Sequence, residues 1–188
     1  MATIHLMRRN PVQSSSLRPE MKQLLDALLD VPAYVMGREM DILGWNTLAA
    51  SLYGDFGEMA PRQRNWARIT FLDPRARELF PDWDHKALEV VHHLRTQVAR
   101  APHDSRLITL VDELSAESGD FHLIWSRGMG TEMIRGPKRI HHSLVGDLTL
   151  WFEVLEPANE PHQFLITCHA EPDSPSAESL RLLASWGA

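Results

Sequence analysis

In the decapeptide GDLTLWFEVL (residues 146–155), Leu148, Leu150, Phe152 and Val154 alternate with Asp147, Thr149, Trp151 and Glu153. Successive side chains of a strand point to opposite faces, so this period of two predicts a half-buried β-strand. Working outward, Phe164, Ile166, Cys168 and Ala170 alternate with Leu165, Thr167 and His169 beyond a turn at Pro157 to Pro161. On the other side KRIHH (138–142) precedes the decapeptide across SLVG, and three consecutive antiparallel strands are the economical reading. Far upstream, AYVMG (33–37) and MDILGW (40–45) are short apolar runs separated by Arg38 and Glu39, which predicts a hairpin.

Between the two strand groups the period changes. TLAASLY after Asn46 carries Leu48, Ala49, Leu52 and Tyr53 at helical spacing, and Gly54 is placed to stop it. Trp83, Ala87, Leu88, Val91, Leu94 and Val98 form the apolar stripe of a longer helix, with Asp84, Lys86, Glu89, His92 and Arg95 on its other face. A further helix follows Asp104 as N-cap, with Leu107, Leu110, Val111 and Leu114 inward, and FHLIW (121–125) continues the helical layer until Gly128 and Gly130 break it. PEMKQLLDALLD (19–30) and the tail after Ser174 and Pro175 read as the first and last helices. The expected class is α+β: a five-stranded antiparallel sheet split by a helical insertion, its helices folded over one face to make a cup. Residues 1–18, with Pro11 and the serine run 14–16, read as a leader or linker, and residues 19–188 as one domain.

The bulk properties narrow the partners. In 188 residues, 44% hydrophobic and 23% charged, there is room for one globular core. Nineteen basic against 25 acidic residues give a net charge of -6, which disfavours direct binding to a phosphate backbone. The single cysteine, Cys168, excludes an internal disulfide and agrees with a reducing compartment, and no stretch has the roughly 20 apolar residues of a membrane span. The expected location is the cytoplasm, with no membrane partner. The histidine pairs 92–93 and 141–142 splay apart on a helix or strand, HExxH is absent, and Gly128-Met129-Gly130 is too little for a dinucleotide fingerprint. No metal, cofactor or catalytic residue is expected.

Several segments together resemble one family: LLDALLDVPAYVMGREMDILGWNTLAASLYGDF, NWARITFLDPRARELFPDWD, LVDELSAESGDFHLIW, KRIHHSLVGDLTLWFEVL and AEPDSPSAESLRLLAS. They are similar, in order and spacing over about residues 17–185, to the MmyB-like ligand-binding domain of helix-turn-helix transcription regulators, found mostly in actinobacteria. The resemblance implies a PAS-like fold that binds a small apolar or fatty-acid-like effector and passes its occupancy to an XRE-type DNA-binding domain. That domain normally precedes this one; residues 1–16 are too short to hold it, so DNA is expected as a partner only through a separate or missing helix-turn-helix. In RIHHSLVG, Arg139, His142, Val145 and Gly146 match the family pattern, while His141 and Ser143 stand where a basic residue and a proline are usual.

The candidate ligand contacts follow from the cup. Trp66, Phe71, Phe80 and Trp83 supply core or pocket wall, Trp45 a further wall, Asn46 either a ligand-facing amide or the cap of the following helix, and Phe152 an apolar surface on its strand. Arg75 and Arg139 are the candidates for clasping an effector carboxylate, since a guanidinium offers it two parallel hydrogen bonds. Asp73 before Pro74 reads as a helix cap, and Arg75 and Arg77 as surface partners of Asp82, Asp84 or Glu78. The competing reading is a protein interaction or dimerisation module with a solid core, contacting a partner such as a second copy through Trp151 and the tail helix.

Overall fold

The computed structural model describes residues 16–128, 136–158 and 162–186, so the 1–18 leader lies almost wholly outside the described residues, as do parts of the glycine break and of the proline turn. In chain order come α1 (Pro19–Ala27), β1 (Ala33–Gly37), β2 (Ile42–Trp45), α2 (Thr47–Tyr53), a 3-10 turn at Phe56–Glu58, α3 (Trp66–Leu72), α4 (Ala76–Leu79), α5 (Trp83–Arg100), α6 (Ser105–Glu117), α7 (Gly119–Ser126), β3 (Lys138–His142), β4 (Gly146–Leu155), β5 (Gln163–His169) and α8 (Pro175–Trp186). The class is α+β. All five strands join one open antiparallel sheet of order β2-β1-β5-β4-β3, so the hairpin and the three-stranded meander meet where β1 pairs with β5.

Register divides the sheet into two faces. Tyr34 stands opposite Ile166, Met36 opposite Phe164, Phe152 opposite Cys168 and Ile140 opposite Leu148; all but the half-buried Phe152 are buried, and the whole set belongs to the main core with the helices that follow β2. The alternate positions Ala33, Val35 and Leu165 form a small second core with Met21 and Leu25. Thus α1 packs on the face opposite the other helices. At Gly44 of β2 the segment leading into α1 and α1 itself both come close: a Cβ there would run into the Leu17 side chain, with Leu25 of α1 beside it.

Local signals set the helix ends. The Asn46 side chain accepts from the Ala49 amide at 2.9 Å to cap α2, and Gly54, at φ +97, takes the backbone where a side chain would be strained. Asn65 caps α3 by accepting from Ala67 and Arg68, and its amide donates to the Glu39 carbonyl (2.7 Å) and to Asp41 (2.8 Å). That ties the start of α3 to the β1–β2 turn. The same turn is held to the α5–α6 corner by Arg38 and Asp104, 3.2 Å apart and both buried, and Asp104 also caps α6. Where β5 ends, the Ser176 hydroxyl of α8 accepts the Thr149 amide at 2.9 Å and extends the ladder.

The long helix α5 departs from the one-sided reading of its sequence. Trp83, Ala87, Val91 and Leu94 are buried, as the stripe requires, yet Val90 and Gln97 are buried as well. Lys86, Glu89 and His93 lie on that second stripe and reach toward the sheet: Glu89 pairs with Lys138 of β3 at 2.8 Å, and the His93 ring packs edge-on against Phe164 of β5 at 5.6 Å. Lys86 and Glu89 are therefore not on a solvated face. The helix is sandwiched between the sheet and its neighbours α3, α6 and α7, so two of its sides are covered.

Candidate functional site

Over the inner sheet face sits an aromatic cluster centred on Trp66, which is 1% exposed. Its ring lies 5.5 Å from Tyr34, 5.2 Å from Tyr53, 5.7 Å from Phe56 and 6.1 Å from Phe80, in tilted or edge-to-face geometry. Such pairs contribute about 0.5–1.5 kcal/mol each beyond their area, so this part of the cup is well filled. Trp45 joins the cluster's edge through Phe56, with the Arg64 guanidinium over its ring.

The other candidates separate into three groups. Phe71 and Trp83 belong to a second cluster with Phe121, at 5.7 and 5.0 Å from Phe71, and the Trp83 indole donates to the Thr70 carbonyl. Asn46 accepts from Ala33 (3.0 Å) as well as Ala49, and its amide donates to the carbonyls of Leu28 (2.6 Å) and Val31 (2.7 Å). Each polar atom of its side chain is engaged with backbone. Arg75 closes on Asp73 at 2.7 Å and Arg139 on Asp82 at 2.6 Å, both exposed at the surface, while Arg77 reaches Asp120 and covers the Trp83 ring. The partner of Arg75 is thus Asp73, which ends α3 and also accepts the Arg75 amide at 3.0 Å; the N-cap position of α4 is Arg75 itself, without a side-chain cap, so Asp73 is not the cap its sequence position suggested. In both pairs the hydrogen bond holds the carboxylate below its usual range.

Of the candidates, the structure brings Trp66 and Phe80 to one place, around a residue that the spacing had placed outside, while Phe152 meets the neighbouring Lys138. The Lys86 ammonium lies over Trp66 at 4.9 Å and Phe80 at 5.2 Å. Lys138 lies over Phe152 at 4.8 Å while holding Glu89. Desolvation is the main cause that brings Lys86 down from 10.5 to about 8, with Lys138 adding repulsion. Burial raises Tyr34, Tyr53 and Cys168, the thiol to about 12, and the Tyr53 hydroxyl sits 3.1 Å from the sulfur. At neutral pH these three are uncharged. His93 is pushed below its usual value by burial, and its Nε2 donates to the Arg38 carbonyl at 3.0 Å.

At the far end of β4, Val154, on the inner face opposite Ile166, is 61% exposed, and Phe152 two residues before it is half-buried, as are Lys138, Glu89 and Lys86. A separate cleft of about 440 Å³ lies on the helical side, between α3 and α6, lined by Ile69, Leu72, Arg75 and the Glu113 carboxylate. Glu113 is held there by Arg62 at 2.7 Å and by Arg68. Among the described residues no group of three or more potential ligands converges to hold a metal ion, and no helix is long and apolar enough to cross a membrane.

An antiparallel sheet facing a helical layer across an aromatic interior, with charged groups turned inward, defines an α+β domain whose role has to come from its family rather than from its fold. The family model for the MmyB-like transcription regulator ligand binding domain matches residues 17–183, and the chain belongs to that family. It is a regulatory domain of transcription regulators and is not defined by an enzymatic activity. A search of curated proteins finds no match.

Proposed function

We propose that the chain senses a small apolar, fatty-acid-like effector against the inner face of a PAS-like sheet. Its occupancy is passed to a helix-turn-helix DNA-binding domain carried elsewhere, and the protein works in the cytoplasm. The observation that supports this reading is exposed apolar surface on the inner face, where Val154 is 61% exposed two residues beyond Phe152, which packs against the core. An alkyl chain lying there would cover apolar surface at roughly 25 cal/mol per Å² and touch both the sheet and α5. A ligand biases a conformation only through different affinity for two states, and contact with both layers gives that difference. The test is native mass spectrometry of the purified protein together with thermal melts across fatty acids and butenolides. A bound lipid-like molecule or a melting shift is expected; the absence of both rejects the reading.

A second reading has its own observation. The Trp66 cluster is tightly filled, while Trp151 and Leu155 project from the outer face of β4 and Trp186 from α8, 43%, 52% and 56% exposed. A homodimerisation module with a solid core would use such residues. It predicts a dimer by light scattering that Trp151→Ser dissolves and that no effector affects.

A further inference from the structure

We infer that Lys86 is the anchor for the carboxylate of an anionic effector, seated between the Trp66 and Phe80 rings and the inner face of β4. The inference rests on the ligand-sensing reading and names the head group that the site selects.

Position 86 falls on the sheet-facing stripe of α5, so the lysine is carried inward by the helix rather than by a side-chain excursion. Once there, its ammonium has aromatic faces as neighbours and, among the described residues, no carboxylate in ion-pair contact. The charged groups around it are few. Glu89, on its own helix, is held by Lys138 of β3 at 2.8 Å. Cys168 of β5, with Tyr53 of α2 and Tyr34 of β1 behind it, is neutral at pH 7, and so is His93 further along α5, which burial pushes below its usual value. Two ammonium groups against one carboxylate leave this interior with one unbalanced positive charge. Buried charges are ordinarily paired, and π faces compensate an ammonium only in part. A monoanion completes the balance, while an alkyl chain on it would run past Phe152 toward the exposed Val154. Lys86 as a residue is half-buried, and its ammonium is enclosed by protein.

The test compares decanoate and dodecanoate with decanol and dodecanol by titration calorimetry, on wild type, Lys86→Met and Lys86→Arg. Wild type is expected to bind each acid at least about tenfold more tightly than its alcohol, the usual scale of a charge-assisted hydrogen bond. In Lys86→Met the preference falls to within about twofold while alcohol binding persists, and Lys86→Arg retains it. In wild type the acid should also weaken as pH rises through 8, with the alcohol unaffected, a measurement that needs no variant. Equal binding of acid and alcohol by wild type, or a preference that survives in Lys86→Met, overturns the anchor and leaves the sensor reading standing. Binding of no probe to wild type rejects both.

Discussion

Replacing Lys86 by methionine should make the domain more stable. The side chain keeps nearly the same length and apolar volume but loses the charge. Lowering the ammonium from 10.5 to about 8 corresponds to about 3 kcal/mol against the folded state at about 1.4 kcal/mol per pH unit. The Trp66 and Phe80 faces return roughly 0.5–2 kcal/mol of that. A net gain of about 1–3 kcal/mol at pH 7 follows, which for a chain of this size raises the melting temperature by roughly 2–10 °C. Linkage fixes the sign with pH. Because the folded-state value is depressed and the group is a base, the unfolded chain binds more protons between about pH 8 and 10.5, so wild-type stability rises across that window. The advantage of Lys86→Met is therefore full below pH 8 and shrinks to less than half by pH 9.5. Urea unfolding of both proteins at pH 7 and 9.5 measures it. A variant less stable than wild type, or a difference that is the same at both pH values, would refute the placement of an uncompensated ammonium in the core.

Asn46→Ala removes the α2 cap and the ties to Leu28, Val31 and Ala33 together, and should cost about 2–4 kcal/mol in urea unfolding. Gly44→Val pushes against Leu17 and Leu25 and should cost roughly 1–3 kcal/mol, with amide exchange rising in α1 ahead of the other helices. Arg75→Ala and Arg139→Ala, both removing exposed surface pairs, should leave effector affinity and melting temperature unchanged within error. Cys168, buried and with its thiol pushed up to about 12, should react with Ellman's reagent at pH 8 only after denaturation, since about one thiol in ten thousand is ionised there.

β4 and β5 were legible because each carries its own alternation: Leu148, Leu150 and Phe152 fall on one face by period alone, and Phe164, Ile166 and Cys168 likewise, while β1 and β2 were legible as short apolar runs around a polar turn. The caps Asn46, Asp104 and Ser174 were legible because capping is local chemistry. What the spacing did not carry was which side of an element meets which layer. An amphipathic stripe in α1 does not say which face of the sheet it covers; the signal was Gly44, a glycine inside a strand where another segment comes close. In α5 a single apolar stripe implies one wet side, but a helix between two layers has a second covered side, and its polar residues then face inward. Lys86 was misassigned for that reason. The arginines attracted notice as carboxylate partners, yet Arg75 has Asp73 two residues away and Arg139 meets Asp82 across the fold.

The charged stripe of α5 also separates the two functional readings on energetic grounds. A module that needs only a solid core gains nothing from Lys86: methionine at that position fills similar space between Trp66 and Phe80 and is more stable by the reckoning above. A domain that must change state on binding has a use for the same ammonium. On the proposal above, its desolvation weakens the empty protein, and an arriving carboxylate would offset that cost on the stripe whose other members, Glu89 and His93, already hold Lys138 of β3 and Phe164 of β5. The difference between the two states is then of the same order as the destabilisation, about 1–3 kcal/mol, which corresponds to a population shift of roughly five- to 150-fold. That range is what a regulatory domain needs, and it resides in one side chain whose removal should stabilise the fold and abolish the response together.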